Sequence, residues 1–298
     1  MRPFITGANG MLGFELTRQL DKRSIKYLAT DILKDGEFYN FMILDILDEI
    51  SLSKSIKEFS PAIVLHLAAK TDVDGCETKK EEAFKVNAKA TESLAKICKN
   101  MNIPMVYIST AAVFKGDKPT PYIETDKPDP LSYYAKTKLE GEIAVKENLK
   151  DFYILRAGWM IGGFEKDKKF VAKILKLLET EKWISAVTDK FGSPTFTKDF
   201  CFNMIELILG KAPYGLYHMA NNGQATRFEM AKKIIEILGL KDIKLSGVTS
   251  DAFPLPAPRG RSEMIENSNL NKINMNFMRH WEEALREYIE NYKGKLGL

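Results

Sequence analysis

The chain has 298 residues, of which 45 % are hydrophobic and 28 % charged, a composition that excludes a disordered chain or a fibre. Its 44 basic and 40 acidic residues give a formal charge of +4, too small to indicate nucleic-acid binding. No apolar run approaches the roughly 20 residues of a membrane span. Cys76, Cys98 and Cys201 form no CxxC pair, so we expect neither a disulfide framework nor a zinc site, and a cytoplasmic location.

In the first half of the chain, short apolar runs alternate with amphipathic helical patterns. Leu12, Leu16 and Leu20 recur every four residues, which is typical of one face of a helix. The chain starts on a predicted strand, so we expect no signal peptide. The predicted strands are 4–5, 27–30, 41–44, 62–67, 105–108 and 152–155, and the helices after the first one are 50–59, 81–100 and 133–149.

The second half is less regular. Helical patterns are interrupted by a segment at 191–195 that contains glycine and proline, and later by a polar, proline-rich stretch at 254–261. The sequence has no internal repeat, and no linker separates the two halves. We therefore expect the second part to be formed by the connections between the last strands of the sheet. The predicted helices are 168–180, 198–210, 228–238 and 281–292, with one strand at 216–219.

A glycine-rich turn, TGANGMLG at 6–13, follows the first strand and opens the first helix. Glycines let the backbone approach a pyrophosphate closely, and a helix N-terminus offers free N–H groups and a positive dipole end. The spacing is GxxGxxG rather than GxGxxG. The turn predicts a dinucleotide site formed by Gly7, Asn9, Gly10, Met11, Leu12 and Gly13.

An acidic residue, Asp31, ends the second strand 18 residues after Gly13. An acid at this place accepts hydrogen bonds from the adenosine ribose and disfavours a ribose 2′-phosphate. We therefore expect NADH or NADPH as the cofactor, with NADH preferred, although Lys34 is close enough in sequence to weaken that preference.

The alternating elements and the glycine turn together predict an α/β fold. We expect a Rossmann-type doubly wound parallel sheet with a smaller C-terminal α/β substrate-binding lobe. The predicted dinucleotide-binding domain is 1–160, with segments of about 190–220 returning to it. The predicted substrate-binding lobe is 161–189 and 221–298.

A tyrosine and a lysine, Tyr134 and Lys138, are four residues apart on a predicted helix, which places both side chains on one face. A nearby ammonium favours the phenolate and lowers the pKa of tyrosine toward the working range of an acid–base group. The preceding buried strand ends in Ser109 and Thr110, and a hydroxyl there is suited to hydrogen-bond a substrate carbonyl. We predict Tyr134, Lys138 and Thr110 as the catalytic residues.

Together these residues resemble the extended short-chain dehydrogenase/reductase superfamily and, more narrowly, the dTDP-4-dehydrorhamnose reductase family. The resemblance covers nearly the whole chain. Many nucleotide-sugar enzymes share most of these motifs. The segment at 192–195 and Trp159 are the features that point to this family in particular. The motifs are 6–13, 44–46, 67–74 with Glu77, 86–88, 107–110 with Val113 and Phe114, 129–131, Tyr134 and Lys138 with Gly141 and Glu142, Leu155 and Arg156 with Trp159, and 191–195.

The resemblance implies reduction of the 4-keto group of a dTDP-4-keto-6-deoxy-hexose, the last step of dTDP-rhamnose synthesis. Tyr134 would donate the proton with Lys138 as its partner, Thr110 would polarise the ketone, and Trp159 would pack against the sugar. The family also suggests a homodimer and Mg²⁺ as possibilities, although we find no carboxylate cluster that fixes a metal site. Further cofactor residues implied by the resemblance are Asp45, Ile46, Ala68, Ala69, Lys70 and Asn87, and a further substrate residue is Val73.

Two departures from the family pattern concern the substrate. Ala111 and Ala112 stand where the family usually has an aspartate and a tyrosine, which puts the sugar specificity in doubt. In the segment PRGRS at 258–262, the arginines lie in a slightly different register from the family's Arg-Pro motif. Arg259 or Arg261 is still suited to pair with a diphosphate, because a guanidinium matches phosphate oxygens bidentately.

Two other functions remain open from the sequence. The alanine pair is compatible with a different enzyme on the same scaffold, namely another nucleotide-sugar reductase, an epimerase or a dehydratase. A non-catalytic dinucleotide-binding subunit that regulates a partner is the other hypothesis, since a fold does not establish chemistry. The presence of Tyr134 and Lys138 argues against it.

Overall fold

The computed structural model describes residues 1–296. Its strands are β1 Pro3–Thr6, β2 Leu28–Asp31, β3 Phe41–Ile43, β4 Ile63–His66, β5 Met105–Thr110, β6 Phe152–Ala157, β7 Trp159–Ile161, β8 Trp183–Val187, β9 Phe191–Gly192, β10 Pro194–Phe196, β11 Gly215–His218, β12 Ala225–Thr226, β13 Lys244–Val248 and β14 Ser262–Glu263. Its α-helices are α1 Met11–Lys22, α2 Glu49–Phe59, α3 Val73–Thr78, α4 Lys80–Phe84, α5 Ala90–Met101, α6 Tyr133–Asn148, α7 Phe170–Leu177, α8 Thr197–Leu209, α9 Arg227–Leu238, α10 Ser268–Lys272 and α11 Trp281–Leu296.

A seven-stranded sheet in the order β11-β6-β5-β4-β1-β2-β3 forms the centre of the molecule. All six of its strand pairs are parallel. The chain leaves β1 toward one edge of the sheet and returns at β4 to build the other edge, so the order reverses between β1 and β4. Ligands of open α/β sheets bind outside the carboxyl ends of the strands at such a point. The predicted Rossmann-type fold is confirmed.

Both faces of the central sheet are buried, because successive side chains of a strand point to opposite faces. On β1, Ile5 belongs to the core beneath α1 and α8, whereas Phe4 belongs to the core beneath α2, α5 and α6. Residues of both cores are almost completely buried. This two-sided burial explains why the strands of the first half are continuous apolar runs.

The second part of the chain builds three small sheets. They pair β7 with β10, β8 with β13, and β12 and β14 with β9. These sheets pack with α7, α9 and α11 around their own core, while α8 and β11 return to the central sheet. We refer to this smaller unit as the lobe. Its sheets were not predicted. Five of its seven strands have only two or three residues, too few for a periodic signal, and the five-residue strands β8 and β13 were missed. The role of the lobe in binding substrate stays a prediction.

The helix predicted at 81–100 is interrupted. Residues Lys85–Lys89 form one π-helical turn between α4 and α5, and Asn87 lies in that turn, fully buried. A π-turn inside a helix is rare and occurs mostly at functional sites. Here it directs the Asn87 amide at the loop after β4, a contact that a helical periodicity does not reveal.

The catalytic helix predicted from the sequence, α6, is fixed to the sheet by a buried ion pair. Glu142 on α6 accepts hydrogen bonds from Arg156 on β6 at 2.8 and 2.7 Å. Its Oε1 atom also accepts a 2.6 Å hydrogen bond from Ser109 on β5. Both ionic side chains are at most 1 % exposed, so the carboxylate is held in one position relative to two strands.

We predict that Glu142→Gln lowers the free energy of unfolding by about 3–5 kcal/mol, because it leaves Arg156 buried without its counter-charge. Urea unfolding followed by circular dichroism measures this change. Glu81→Gln removes the carboxylate of an exposed ion pair with Lys85 and should leave the midpoint nearly unchanged. Equal midpoints for the two variants would contradict the role assigned to Glu142.

Candidate active site

The glycine turn lies at the carboxyl end of β1, against the loop that follows β4. Gly7 has φ +73°, and a Cβ atom there would lie 2.5 Å from the backbone nitrogen of Ala68. A Cβ on Gly13 would lie 2.5 Å from the carbonyl oxygen of Ala8. Only glycine fits either position, so the turn is packed tightly enough to hold a ligand against backbone atoms.

The N-terminus of α1 is chemically suited to a pyrophosphate. Gly10 precedes the helix without any side-chain cap, and the first turn, which contains Met11, Leu12 and Gly13, has no acidic residue. The first N–H groups of a helix have no intrahelical acceptor, and an anion is favoured there by the helix dipole. The residues present therefore fit the phosphates of a dinucleotide.

Asp31, at the end of β2, is already part of a hydrogen-bond network. Its Oδ2 atom accepts from the N–H of Asn9 at 2.9 Å, and its Oδ1 atom accepts from the N–H of Ile32 at 2.8 Å. The Asn9 side chain in turn contacts the carbonyl of Leu33 and accepts from the N–H of Asp35. The network holds a half-exposed carboxylate beside the glycine turn, where the sequence places the ribose.

The other residues expected near the cofactor lie on the adjoining strand ends. Asp45 is exposed after β3 and Ile46 beside it is buried, while Ala68, Ala69 and Lys70 form the half-buried loop after β4. Lys70 makes an ion pair with Glu82, so its ammonium already has a partner.

Asn87 holds the loop after β4 in place. Its amide accepts the N–H of Lys70 at 2.7 Å and donates to the Lys70 carbonyl at 3.1 Å and to Thr137 on α6 at 3.0 Å. The side chain is completely buried beneath that loop. Asn87 is therefore placed to position the cofactor loop and the catalytic helix relative to each other, rather than to line the cleft itself.

The start of α6 places the predicted catalytic pair next to the end of β5. Ser132 caps the helix by accepting the N–H of Ala135 at 3.3 Å, and Glu77 on α3 accepts the N–H of Tyr133 at 2.6 Å. Tyr134 then lies in the first turn, with its hydroxyl close to that of Thr110. The structure thus brings Tyr134 and Thr110 together, as the sequence predicts.

Burial, rather than the lysine, dominates the pKa of Tyr134. Desolvation raises this pKa, and the hydrogen bond with Thr110 opposes the rise. The ammonium of Lys138 lies 4.1 Å over the ring of Tyr107, and burial lowers the pKa of Lys138 to about 7. The expected lowering of the tyrosine pKa by Lys138 is therefore not what this structure shows; a raised pKa keeps Tyr134 protonated, as a proton donor requires.

The alanine pair occupies the 3₁₀ turn after β5. Ala111 is buried, in a cluster with Phe114, Tyr122 and Ala220, whereas Ala112 is half-buried. The main-chain N–H of Ala112 is held by the Thr110 hydroxyl at 3.1 Å. Only Ala112 is therefore partly open to solvent. Neither alanine offers a charged or hydroxyl group at the end of β5.

Trp159 lies flat on Gly192 in the lobe. A Cβ on Gly192 would come within 2.3–2.6 Å of three indole ring atoms, and the Arg227 guanidinium lies 3.7 Å over the same ring. Gly192 and the Arg227 guanidinium therefore lie on opposite faces of the indole, because one face has no room for both. The indole Nε1–H donates to Glu263 at 3.2 Å. Gly192 and Arg227 thus contact the two ring faces of a half-buried indole, and the packing of Trp159 against a sugar stays a prediction.

The two arginines of the 258–262 segment have different surroundings. Arg259 makes a two-pronged ion pair with Asp74 on α3, with both N–O distances at 3.0 Å. Arg261 is exposed, with its guanidinium 5.8 Å from the centre of the Phe191 ring. Arg259 therefore ties the lobe to α3, close to Val73, and its guanidinium is already paired.

Two charged residues of this cleft, Arg227 and Glu263, escaped the sequence analysis. The pair Thr226 and Glu229 forms a capping box, and this motif predicts that α9 begins at Arg227. Nothing in the local sequence indicates that Glu263, on a two-residue strand, lies beside Trp159. Burial is the main cause of the raised pKa of Tyr134, and the charge of Glu263 adds to it, so Glu263 lies near the predicted proton donor.

Residues 1–296 contain no group of three or more histidine, cysteine, aspartate or glutamate side chains that could hold a metal ion. Among the same residues, no helix is both long and apolar enough to cross a membrane. All three cysteines are buried and carry free thiols.

Comparison with known proteins identifies the family. The family described as RmlD substrate binding domain matches residues 1–293. The chain belongs to this family. It is 34 % identical to a Streptomyces griseus protein named dTDP-4-dehydrorhamnose reductase, over 99 % of this chain and 95 % of that one. The family resemblance predicted from the motifs is confirmed.

Solved structures of proteins named dTDP-4-dehydrorhamnose reductase have the same fold as this chain. The structure of a dTDP-4-dehydrorhamnose reductase from Clostridium acetobutylicum superposes with a TM-score of 0.91 at 33 % identity, covering 98 % of this chain and 100 % of that one. The corresponding protein from Bacillus anthracis, solved in complex with NADP, gives a TM-score of 0.89 at 31 % identity, with coverages of 97 % and 99 %.

We predict that Asn87→Ala weakens NADH and NADPH binding by about tenfold or more, because it leaves the polar backbone of Lys70 without its buried partners. Fluorescence titration of the reduced cofactor measures this affinity. Asn148→Ala removes an amide that bonds only within the end of α6 and is the matched control. Unchanged affinity in a folded Asn87→Ala protein would refute the positioning role.

Proposed function

We propose that this protein is an NAD(P)H-dependent reductase of the 4-keto group of a dTDP-4-keto-6-deoxy-hexose, converting dTDP-4-dehydro-L-rhamnose to dTDP-L-rhamnose. The observation that carries the proposal is the juxtaposition of Tyr134 and Thr110 beside Lys138, next to the glycine turn at the point where the strand order of the sheet reverses. Membership of the reductase family supports it.

The chain supplies the proton and the polarising groups of this reaction. A nicotinamide dinucleotide, when bound, supplies the hydride that adds to C4 of the sugar. Tyr134 donates its phenolic proton to the ketone oxygen as negative charge develops there, and the Thr110 hydroxyl stabilises that charge by hydrogen bonding. Lys138 lies on the same helix face one turn further on, where its ammonium can stabilise the phenolate left after transfer.

The residues for the cofactor are those of the glycine turn and the strand ends around it. Gly7, Gly10 and Gly13 with the first turn of α1 would hold the pyrophosphate, and Asp31 the adenosine ribose. We infer a preference for NADH, since the carboxylate of Asp31 repels a 2′-phosphate; the Bacillus anthracis relative was solved with NADP, so both cofactors enter the test. Asp45, Ile46, Ala68 and Ala69 would line the rest of the site.

For the substrate, Val73 on α3 and Arg261 in the segment 258–262 remain proposed contacts. Arg259 is proposed to act indirectly, because its ion pair with Asp74 holds that segment in place. The alanines at 111 and 112 favour a second candidate, reduction of a different keto-sugar nucleotide, because the cleft lacks polar side chains there.

The test follows the absorbance of reduced nicotinamide with dTDP-4-dehydro-L-rhamnose, using NADH and NADPH in parallel. Wild-type protein should oxidise NADH faster than NADPH at low concentration. Tyr134→Phe should lower turnover by roughly 10²–10⁴-fold, the usual contribution of a general acid, while cofactor affinity changes little. Tyr133→Phe, at the neighbouring position of the same helix turn, is the control and should retain activity.

Three other outcomes have defined meanings. Equal loss in the Tyr133 and Tyr134 variants would remove the assignment of the proton donor. Oxidation of cofactor with another 4-keto nucleotide sugar only would support the second candidate. Tight cofactor binding without reduction of any keto sugar, together with a stable complex in pull-down, would support a regulatory subunit.

A further inference from the structure

Two charged side chains of the lobe lie next to each other without forming an ion pair. Arg227 makes no hydrogen bond or ion pair with any side chain in residues 1–296, although its guanidinium is half-buried between Trp159 and Phe170. Glu263 likewise makes no ion pair within that range; its one side-chain hydrogen bond is from Trp159. The two charges attract each other, but neither has a direct ionic contact. Because desolvated charged groups are costly unless they are hydrogen-bonded, their open bonding positions suit a ligand.

The strand register explains how the two groups are held apart. Glu263 on β14 and Gly192 on β9 are partners in a parallel pair, and neighbouring partners in a sheet direct their side chains to the same face. Trp159 lies over that face, above Gly192, and reaches Glu263 with its N–H edge. Arg227, at the start of α9, covers the opposite face of the indole, so the guanidinium lies on one ring face and the Glu263 carboxylate at the N–H edge of the same ring.

The other arginines of the cleft do not fill the role of Arg227. Arg259 is bidentate to Asp74, and Arg261 is exposed rather than enclosed. Arg227 keeps its guanidinium nitrogens unbonded, stacked on the Trp159 ring and therefore preorganised. A guanidinium fork matches the oxygens of a phosphate, and the proposed substrate carries a diphosphate.

Glu263 presents the complementary chemistry. Its Oε2 atom is fixed by Trp159, and its second oxygen is free to accept hydrogen bonds. A carboxylate is a strong acceptor for hydroxyl groups and repels phosphate, so it suits the sugar and not the diphosphate. It also faces the region of Tyr134, where the sugar must lie for its ketone to be protonated.

We propose that Arg227, on one face of the Trp159 ring, and Glu263, at its N–H edge, form the lobe's half of the substrate site: Arg227 binds the diphosphate, and Glu263 accepts hydrogen bonds from sugar hydroxyls. This inference rests on the proposed function. Glu263 thus supplies, from the lobe, polar contacts that Ala111 and Ala112 do not supply from the other side of the cleft.

Calorimetric titration of the protein with dTDP and with dTDP-L-rhamnose separates the two roles. Arg227→Gln should weaken both ligands by about 10- to 100-fold, the size of a lost charged hydrogen-bond pair. Arg227→Lys keeps the charge without the fork and should recover part of that loss. Glu263→Gln should weaken dTDP-L-rhamnose by about tenfold while leaving dTDP within about twofold.

The controls are exposed residues of α11 in the same lobe, Arg286→Gln and Glu290→Gln, which should change neither affinity. NADH affinity should stay constant in all variants, because the proposed cofactor site lies in the other half. Thermal unfolding verifies that each variant is folded.

Unchanged dTDP affinity in folded Arg227→Gln would overturn the diphosphate assignment. Equal weakening of dTDP and dTDP-L-rhamnose in Glu263→Gln would overturn the sugar assignment, since it would indicate a general disturbance of the lobe. Wild-type protein that binds NADH but neither nucleotide would contradict the proposed function itself, and this inference with it.

Discussion

The buried carboxylate of Glu142 is the contact on which the rest of the catalytic geometry depends. It joins α6 to Arg156 on β6 and to Ser109 on β5, one helical turn beyond Lys138. A helix fixed in this way cannot slide along the sheet, so Tyr134 stays opposite the end of β5 and within reach of Thr110. Moving the helix would separate the two side chains and leave buried charges unpaired, which is costly. The ion pair therefore favours the one position of the helix in which the side chains meet.

The two parts of the molecule present different chemical groups to the proposed substrate site. The Rossmann half presents backbone N–H groups, hydroxyls and a buried lysine, all set by a parallel sheet whose strands end at one edge. The lobe presents charged side chains around an aromatic ring, which lie on the short strands β7 and β14 and at the start of α9. Arg259 on the lobe and Asp74 on α3 connect the halves directly.

The sequence predicts well those features that are encoded locally. The glycine turn, the parallel sheet implied by alternation, and the Tyr134–Lys138 spacing on one helix face all follow from short segments. The electrostatic effect of that spacing does not follow, because the pKa of Tyr134 depends on burial by groups from elsewhere in the chain. Asn87 was expected at the cofactor, and its positioning role depends on a π-turn that breaks the helical period.

The contacts within the lobe, in contrast, could not be predicted from the sequence. Trp159 and Glu263 are 104 residues apart and meet only because β14 pairs with β9, a contact that leaves no pattern in the sequence. Arg227 was predictable as the start of a helix, but not as a cation over Trp159. The sequence therefore predicts the half that contains the proposed catalytic residues, while the contacts of the lobe, the proposed substrate-binding part, require the three-dimensional structure.

The most direct test of the account is the fate of the hydride. The protein is supplied with NADH deuterated at C4 of the nicotinamide, on the transferred face, and with dTDP-4-dehydro-L-rhamnose, and the product is analysed by NMR and mass spectrometry. The account predicts one deuterium, bonded to carbon at C4 of the product sugar. Product without deuterium at C4, or a sugar isomerised with no net consumption of NADH, would contradict it.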